Sequence, residues 1–145
     1  MVYSIAKVLD GISNKIFSVF GKDYNISTDD IPQNFEKPAF FIKVLNDNEK
    51  HYRGKRYSSN KSFVIYGFSA NDSEEELYEM GESLYNLEYI ELEDGSLLRG
   101  INRSFRVEDK TLIFLVDFNT FIYKQGTDEE KMKKIYINGE VNKNG

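Results

Sequence analysis

The residues best suited to bind a charged partner form a basic, aromatic segment in the first half of the chain. Its cationic side chains have no acidic residue between them: Lys50, Arg53, Lys55, Arg56 and Lys61. Tyr52, Tyr57 and the single histidine, His51, lie among them. Lysine and arginine bind phosphates or carboxylates, and tyrosine stacks on bases or packs in protein interfaces. Three interpretations are open: an ordinary exposed hairpin end, a nucleic-acid-binding finger, and a contact with another protein or subunit.

A second charged segment has the opposite sign. From Asp72 to Asp94 the chain has ten acidic residues and neither lysine nor arginine. The acidic candidates for partner contact lie on a predicted helix and on the strand that follows it: Glu75, Glu79, Glu82, Glu91 and Glu93. The ordinary interpretation is a solvated helix face whose acidic first turn complements the helix dipole. The other interpretation is that these carboxylates meet the basic segment of a neighbouring molecule.

Residue patterns that support catalysis or metal binding are missing from the sequence. The chain has no cysteine and one histidine, which leaves too few ligands for a transition-metal site and no Ser-His-Asp arrangement. No glycine-rich phosphate-binding loop and no EF-hand pattern occurs in it. We therefore expect no enzymatic activity, no metal and no cofactor.

The composition is that of one globular domain. At 145 residues, with 40% hydrophobic and 30% charged residues, the chain is long enough to bury a core. The absence of cysteine, of a signal-peptide pattern and of a long apolar run predicts a protein of the cytoplasm without membrane contact. The net charge of −5 argues mildly against a general nucleic-acid binder.

Hydrophobic periodicity predicts two amphipathic helices. An apolar stripe at helical spacing runs through residues 2–20 and ends before Gly21, a natural C-cap. Ser73 and Glu76 form a capping-box pattern at the start of the second helix, whose apolar stripe continues to Leu87. Gly11 would allow the first helix to approach the sheet closely.

Short runs rich in Phe, Ile, Val and Tyr predict the strands. Two of them, residues 38–45 and 62–68, flank the basic segment, and a third spans residues 111–123. All three are apolar on both faces, which is typical of central strands with helices over one face and a second layer, such as a partner subunit, over the other. Asp94-Gly95 predicts a two-residue hairpin between two further strands.

The order helix, strands, helix, strands predicts an α+β fold. We expect a largely antiparallel or mixed β-sheet with two amphipathic helices packed on one face. Residues 1–125 are expected to form a single domain, and residues 126–145 a polar spacer with a short strand and a loose tail. Residues 132–137 are expected to pair with an exposed sheet edge of a neighbouring molecule in an assembly.

Several of these segments resemble one family of phage proteins. The matching stretches are Pro38–Lys43, Tyr52–Tyr57, Ser62–Tyr66, Leu98–Asn102, Leu112–Phe118 and Met132–Ile135. Together they resemble the tail terminator, or tail completion, proteins of phages and defective prophages of Gram-positive bacteria. The resemblance extends over nearly the whole chain, and its motifs are structural rather than catalytic.

The resemblance implies a structural function. Proteins of this family form a ring, usually sixfold, at the head-proximal end of the finished tail tube, where they stop tube polymerisation and present the surface for the head connector or collar. In contractile tails the ring also meets the sheath, and headless tail-like bacteriocins use similar caps. The implied partners are further copies of the chain, the tail tube protein, the sheath and the connector, with DNA only as passing cargo. The implied location is the bacterial host cytoplasm during assembly and then the finished particle.

A ring gives the two charged segments a use. A head-to-tail ring requires two different, complementary surfaces on each subunit. We expect the basic segment of one subunit, at the end of a predicted hairpin, to reach the acidic helix, or the Glu91–Glu93 strand, of the next subunit. A rival use of the acidic patch is to line the channel of the ring and repel passing DNA. The alternative function is a small nucleic-acid-binding module that uses residues 50–61.

Overall fold

The computed structural model describes residues 4–123, which contain helices and strands in the expected order. The elements are α1 (Ile5–Phe20), β1 (Asn25–Ser27), β2 (Ala39–Arg53), β3 (Arg56–Phe68), α2 (Glu74–Ser83), a 3₁₀ turn (Leu84–Glu88), β4 (Tyr89–Glu91), β5 (Leu97–Glu108) and β6 (Thr111–Tyr123). The predicted α+β class is therefore confirmed.

Both α-helices begin where a serine side chain accepts a backbone hydrogen bond. The Ser4 hydroxyl accepts from the N–H of Lys7 (3.2 Å), and the Ser73 hydroxyl accepts from the N–H of Glu76 (3.3 Å). α1 ends at Gly21, which has a φ of 90° and donates its N–H to a carbonyl of the last helical turn. The predicted caps at Gly21 and Ser73 are confirmed, whereas the Ser4 cap was not predicted. The Ser73 N–H donates to Ser69 Oγ (2.9 Å) rather than to Glu76, so the capping box forms only in part.

The strands form one six-stranded sheet in the order β1-β2-β3-β6-β5-β4. β1 runs parallel to β2, whereas the pairs β4–β5 and β5–β6 are antiparallel. β2 and β3 are joined by the two-residue loop Gly54-Lys55 and are antiparallel for that reason. Both edge strands are only three residues long, which limits the backbone that they expose for unwanted pairing.

The main core lies between the two helices and one face of the sheet. Its fully buried members come from both helices and from alternate positions of the strands: Val8, Ile12, Leu77, Phe40, Ile42, Phe63, Ile65, Leu112, Phe114 and Val116. α1 passes close to the chain at β4, where a Cβ added to Gly11 would lie 3.0 Å from Cδ2 of Leu92. The prediction that Gly11 permits a close approach is confirmed.

The opposite face of the sheet carries a smaller aromatic cluster. Phe35, in the loop between β1 and β2, packs on Phe41 and Phe68, with ring-centroid distances of 5.1 and 4.7 Å. The chain's own loop thus supplies part of the second layer for which the sequence suggested a partner subunit. Further along β2, Val44 and Leu45 are exposed (44% and 62%), so burial of both strand faces ends earlier than the apolar run predicts.

The residues of β5 that face the core switch from one alternating set to the other partway along the strand. Between the pairs formed by Ile101 and Ser104, β5 advances three residues while β6 advances two. Asn102 occupies this β-bulge with a φ of 55°, and its side-chain amide donates to Asp117 Oδ2 (2.9 Å). Because of the extra residue, core-facing positions change from even to odd numbers, and Phe105 reaches the core. The sequence pattern did not predict this bulge.

The connection between β4 and β5 differs from the predicted two-residue hairpin. β4 ends at Glu91 and β5 begins at Leu97, so residues 92–96 form the link. Leu92 is buried in the main core, and its N–H donates to the Ser96 carbonyl oxygen (2.8 Å). Gly95 lies in the turn with a φ of 88°, and its N–H donates to the Leu92 carbonyl oxygen (2.9 Å), so three residues, 93–95, follow the last hydrogen-bonded pair. The prediction of a two-residue connection was therefore wrong.

The described residues divide into two compact units. The larger contains residues 4–47 and 61–119, which include both helices and the main core. The smaller contains residues 48–60 and 120–123, which are the loop end of β2 and β3 and the last residues of β6. The predicted boundary at residue 125 lies outside the described residues, as do the spacer and the strand expected within residues 126–145.

An ion pair at the start of α2 predicts a pH-dependent contribution to stability. Lys37 Nζ donates to Asp72 Oδ1 (2.8 Å), and this hydrogen bond, together with the lysine charge, holds the pKa of Asp72 below its usual range. Because the pKa is lowered by folding, the stabilisation is present above the unfolded pKa of about 3.9 and is lost as the pH falls through the folded value.

We therefore expect Asp72→Asn to lower the melting temperature slightly at pH 7 and to match the wild type once the pH falls below the folded pKa of Asp72. Thermal unfolding followed by circular dichroism at several pH values measures the difference. Asp10→Asn, an exposed aspartate of α1, is the matched control. An Asp72→Asn deficit that stays constant down to the lowest pH would contradict the assignment.

Candidate interaction surfaces

The loop end of the β2–β3 hairpin is organised by contacts within the smaller unit. Gly54 takes a φ of 57°, which glycine adopts without steric cost, at the first position of the loop. His51 Nε2–H donates to the Gly54 carbonyl oxygen (2.6 Å) and ties the loop to β2. The single histidine therefore has a structural contact in the hairpin.

Aromatic rings and cations alternate on this hairpin. The Arg56 guanidinium lies 5.2 Å from the centroid of the Tyr52 ring, and the His51 and Tyr57 rings lie 4.9 Å apart. Tyr52 is 59% exposed. The other cations of the hairpin are all exposed: Lys50, Arg53 and Lys55. Residues 50–57, called the basic hairpin below, thus form an exposed cationic and aromatic surface.

Lys61 differs from these exposed cations in its burial. It belongs to the larger unit, is 8% exposed, and its Nζ lies 3.4 Å from Asp47 Oδ1. A partner contact would require this ammonium group to leave a largely buried environment, which is energetically costly. Among the basic candidates, Lys61 is thus the one that the structure suits least for binding a partner.

The acidic candidates lie on two different parts of the larger unit. Glu75, Glu79 and Glu82 are exposed on α2, Glu91 ends β4, and Glu93 lies in the link to β5. Glu79 lines one surface groove, whereas Glu91 and Glu93 line another. Glu75 and Glu82 line neither of these two grooves. The structure therefore divides the continuous acidic segment of the sequence into separate surfaces.

The first groove, called the acidic groove below, has a volume of about 400 Å³. It lies between the end of α1, the chain that follows it and α2, and its lining includes Val19, Phe20, Tyr24, Glu76, Glu79 and Met80. The Phe20 and Tyr24 rings lie 5.1 Å apart, and Tyr24 stacks on Phe40 at 5.5 Å. The groove thus combines an aromatic wall with two carboxylates.

The Tyr24 phenol reflects the electrostatic character of the acidic groove. Burial raises the pKa of Tyr24, and the negative charges of Glu76, Asp23 and Glu79 raise it further. A phenolate here would add one more negative charge to a site that already contains carboxylates. The groove therefore favours a cation over an anion.

Sequence reasoning did not identify this groove. In the sequence, Glu76 was recognisable only as part of a helix cap. One local signal was present, because Glu76, Glu79 and Met80 have the i, i+3, i+4 spacing of one helix face. The approach of Tyr24 to that face depends on packing between residues far apart in the sequence.

The second groove, of about 520 Å³, has mixed charge. Lys7 and Asp10 of α1 line it together with Glu91 and Glu93. The ammonium group of Lys7 offsets part of the negative charge from the three carboxylates. Of the two grooves, the acidic groove is therefore the better candidate for a cationic partner group.

The comparison with known families identifies the chain. A family profile described as "Phage tail terminator protein" matches residues 7–130. The chain belongs to the phage tail terminator family. The resemblance of its sequence segments to this family is thus confirmed, and the family places the tail terminator among structural proteins of phage tails.

The fold of this chain is similar to that of one chain in a solved structure titled "Virion of native gene transfer agent (GTA) particle". The TM-score is 0.51 at 11% sequence identity, and the match covers 84% of this chain and 99% of the other. At this identity the likeness extends to the fold alone. No curated protein sequence matches the tail terminator.

Residues 4–123 contain neither a metal-ligand cluster nor a membrane-spanning helix. Within this part of the chain, no group of three His, Asp or Glu residues is arranged to hold a metal ion. No helix of the same residues is both long enough and apolar enough to span a bilayer.

Proposed function

We propose that this tail terminator forms a ring, with sixfold symmetry, at the head-proximal end of the finished tail tube. The ring stops polymerisation of the tube and presents the surface that joins the tail to a head connector or collar. In a contractile tail it also meets the end of the sheath. The observation that carries this proposal is the family match over residues 7–130.

The charge layout supports assembly between different surfaces of neighbouring subunits. The basic hairpin and the acidic helix α2 occur in one chain, and both present exposed charges. Exposed ion pairs contribute only about 0.2–1 kcal/mol each, so charge steers the subunits and exposed aromatics such as Tyr52 supply more of the affinity. Assembly takes place in the host cytoplasm, and the ring then remains in the virion or tail-like particle, with DNA only passing through.

Deleting the gene tests this function. We expect the deletion strain to make tails of irregular or excessive length that do not join a head or collar, because nothing ends tube growth. Electron microscopy of purified particles gives the distribution of tail lengths. Expression of the wild-type protein in trans should restore a single length. Tails of normal length and normal connection in the deletion strain would rule the function out.

A nucleic-acid-binding module is the second candidate, and the stacking of Arg56 on the exposed Tyr52 favours it. Such a module should bind single-stranded DNA with an affinity that falls steeply as salt increases, because phosphate contacts release counterions. The chain's net charge of −5 opposes this candidate. If the deletion strain makes normal tails and the protein binds DNA in a salt-sensitive way, the nucleic-acid-binding function is favoured over the tail-capping ring.

A further inference from the structure

The acidic groove contains negative charge that the surrounding residues do not neutralise. Glu76 and Glu79 both line it, and no ion pair to either carboxylate occurs among residues 4–123. Asp72, just before the same helix, does have such a partner in Lys37. The groove therefore offers two carboxylates and an aromatic wall to a cation from another molecule.

An arginine side chain matches these features better than a lysine does. Its planar guanidinium group donates paired hydrogen bonds to carboxylates and stacks on aromatic rings. Its aliphatic stem packs on apolar side chains, which Val19, Phe20 and Met80 provide here. A lysine ammonium is a point charge and gains less from the ring of Tyr24.

We propose that the acidic groove receives Arg53 from the basic hairpin of a neighbouring copy of this chain. The proposal rests on the proposed ring and names the contact that closes it. Arg53 is exposed and lies next to the two-residue hairpin loop. The chain has no acidic residue from Lys50 to Lys61 and no basic residue from Asp72 to Asp94, so the two surfaces are complementary. Because they differ, the contact is head-to-tail and repeats around a ring.

Charge reversal on each side of the contact tests the proposal in the deletion strain. Arg53→Glu changes the hairpin, and Glu76→Lys with Glu79→Lys changes the groove. Each variant alone should reduce the fraction of tails of normal length by about tenfold, because like charges meet at every interface. Co-expression of the two variants should restore most of that fraction. In a ring where the two variants alternate, every interface joins opposite charges. At half of the interfaces the native hairpin meets the native groove, and at the other half the glutamate that replaces Arg53 meets the lysines of the changed groove.

Two control variants make the same charge changes away from the contact. Arg99→Glu alters an exposed arginine of β5, and Glu36→Lys with Glu88→Lys alters exposed carboxylates that lie outside both α2 and the groove. Both controls should terminate tails as the wild type does. Normal termination by Arg53→Glu, or a Glu36/Glu88 defect equal to the groove defect, overturns the proposal. If thermal melts show that the lysine variant of the groove is unfolded, Glu76→Gln with Glu79→Gln replaces it.

Cross-linking tests the same contact without relying on tail formation. The chain has no cysteine, so Arg53→Cys with Glu79→Cys provides only two thiols for a short bis-maleimide reagent. The double variant should give a ladder of oligomers, in isolated particles or in concentrated purified protein, whereas the two single variants mixed should give only dimers. An internally linked monomer, or no ladder in either preparation, overturns the proposal. A ladder from a protein whose deletion leaves tails normal would retain the contact and reject the terminator function.

Discussion

Deleting Asn102 is expected to lower the free energy of unfolding by about 3 kcal/mol or more, a large part of a typical domain's total. The bulge at Asn102 turns the positions that follow it in β5, including Phe105 and Val107, toward the core. A strand without the extra residue must turn these side chains away or shift its pairing with β6, since side chains alternate along a strand.

A glycine at the same position is the matched control for this deletion. Asn102→Gly keeps the bulge, and glycine adopts the φ of 55° without strain. It removes only the exposed hydrogen bond to Asp117, so the change should stay within about 1 kcal/mol of the wild type. Urea unfolding followed by circular dichroism measures both variants, because the chain has no tryptophan for fluorescence. If deletion of Asn102 lowers the free energy of unfolding no more than Asn102→Gly does, the bulge does not determine which side chains of β5 face the core.

Gly100→Ala is the second substitution with a large expected effect. A Cβ at this position would overlap the carbonyl oxygen of Leu87 in the 3₁₀ turn and lie 3.0 Å from Cγ2 of Val116. The obstacle is backbone, so relief requires movement of β5 or of the whole turn. We expect a loss of about 3 kcal/mol, at the upper end of the usual cost of overpacking.

Gly67→Ala adds the same methyl group to the core-facing side of β3. There the nearest atoms are the ends of side chains, Leu112 Cδ2 at 3.0 Å and Met80 Cε at 3.2 Å. Side-chain ends move at lower cost than backbone, so Gly67→Ala should destabilise by about 1 kcal/mol. Urea unfolding measures both variants. If Gly100→Ala and Gly67→Ala lower the free energy of unfolding equally, the backbone of the 3₁₀ turn moves as easily as the end of a side chain.

The two parts of the proposed contact differ in how they are stabilised. The acidic groove is built on α1 and α2, which also cover the main core, so its carboxylates are held on rigid elements. The basic hairpin relies on local contacts such as the hydrogen bond from His51 to Gly54. A groove held on rigid elements and a locally ordered hairpin lose less conformational entropy on binding, which favours the proposed contact.

The sequence by itself determined the helices, the long strands and the α+β class. The apolar stripe of α1, the Ser73 cap of α2 and the β-rich run of β6 are local patterns. Backbone geometry alone fixes the periods of helix and strand, so such patterns can be interpreted without knowledge of distant residues. The family resemblance is likewise a property of the sequence, and it identified the family, which composition and spacing left open.

The tertiary structure alone decided which of these residues meet. Tyr24 and Glu76 are distant in the sequence yet line one groove, and Lys61 is buried against Asp47 although it lies within a run of basic residues. Each of these outcomes depends on the free energy of packing several distant segments together, which no local window of sequence contains.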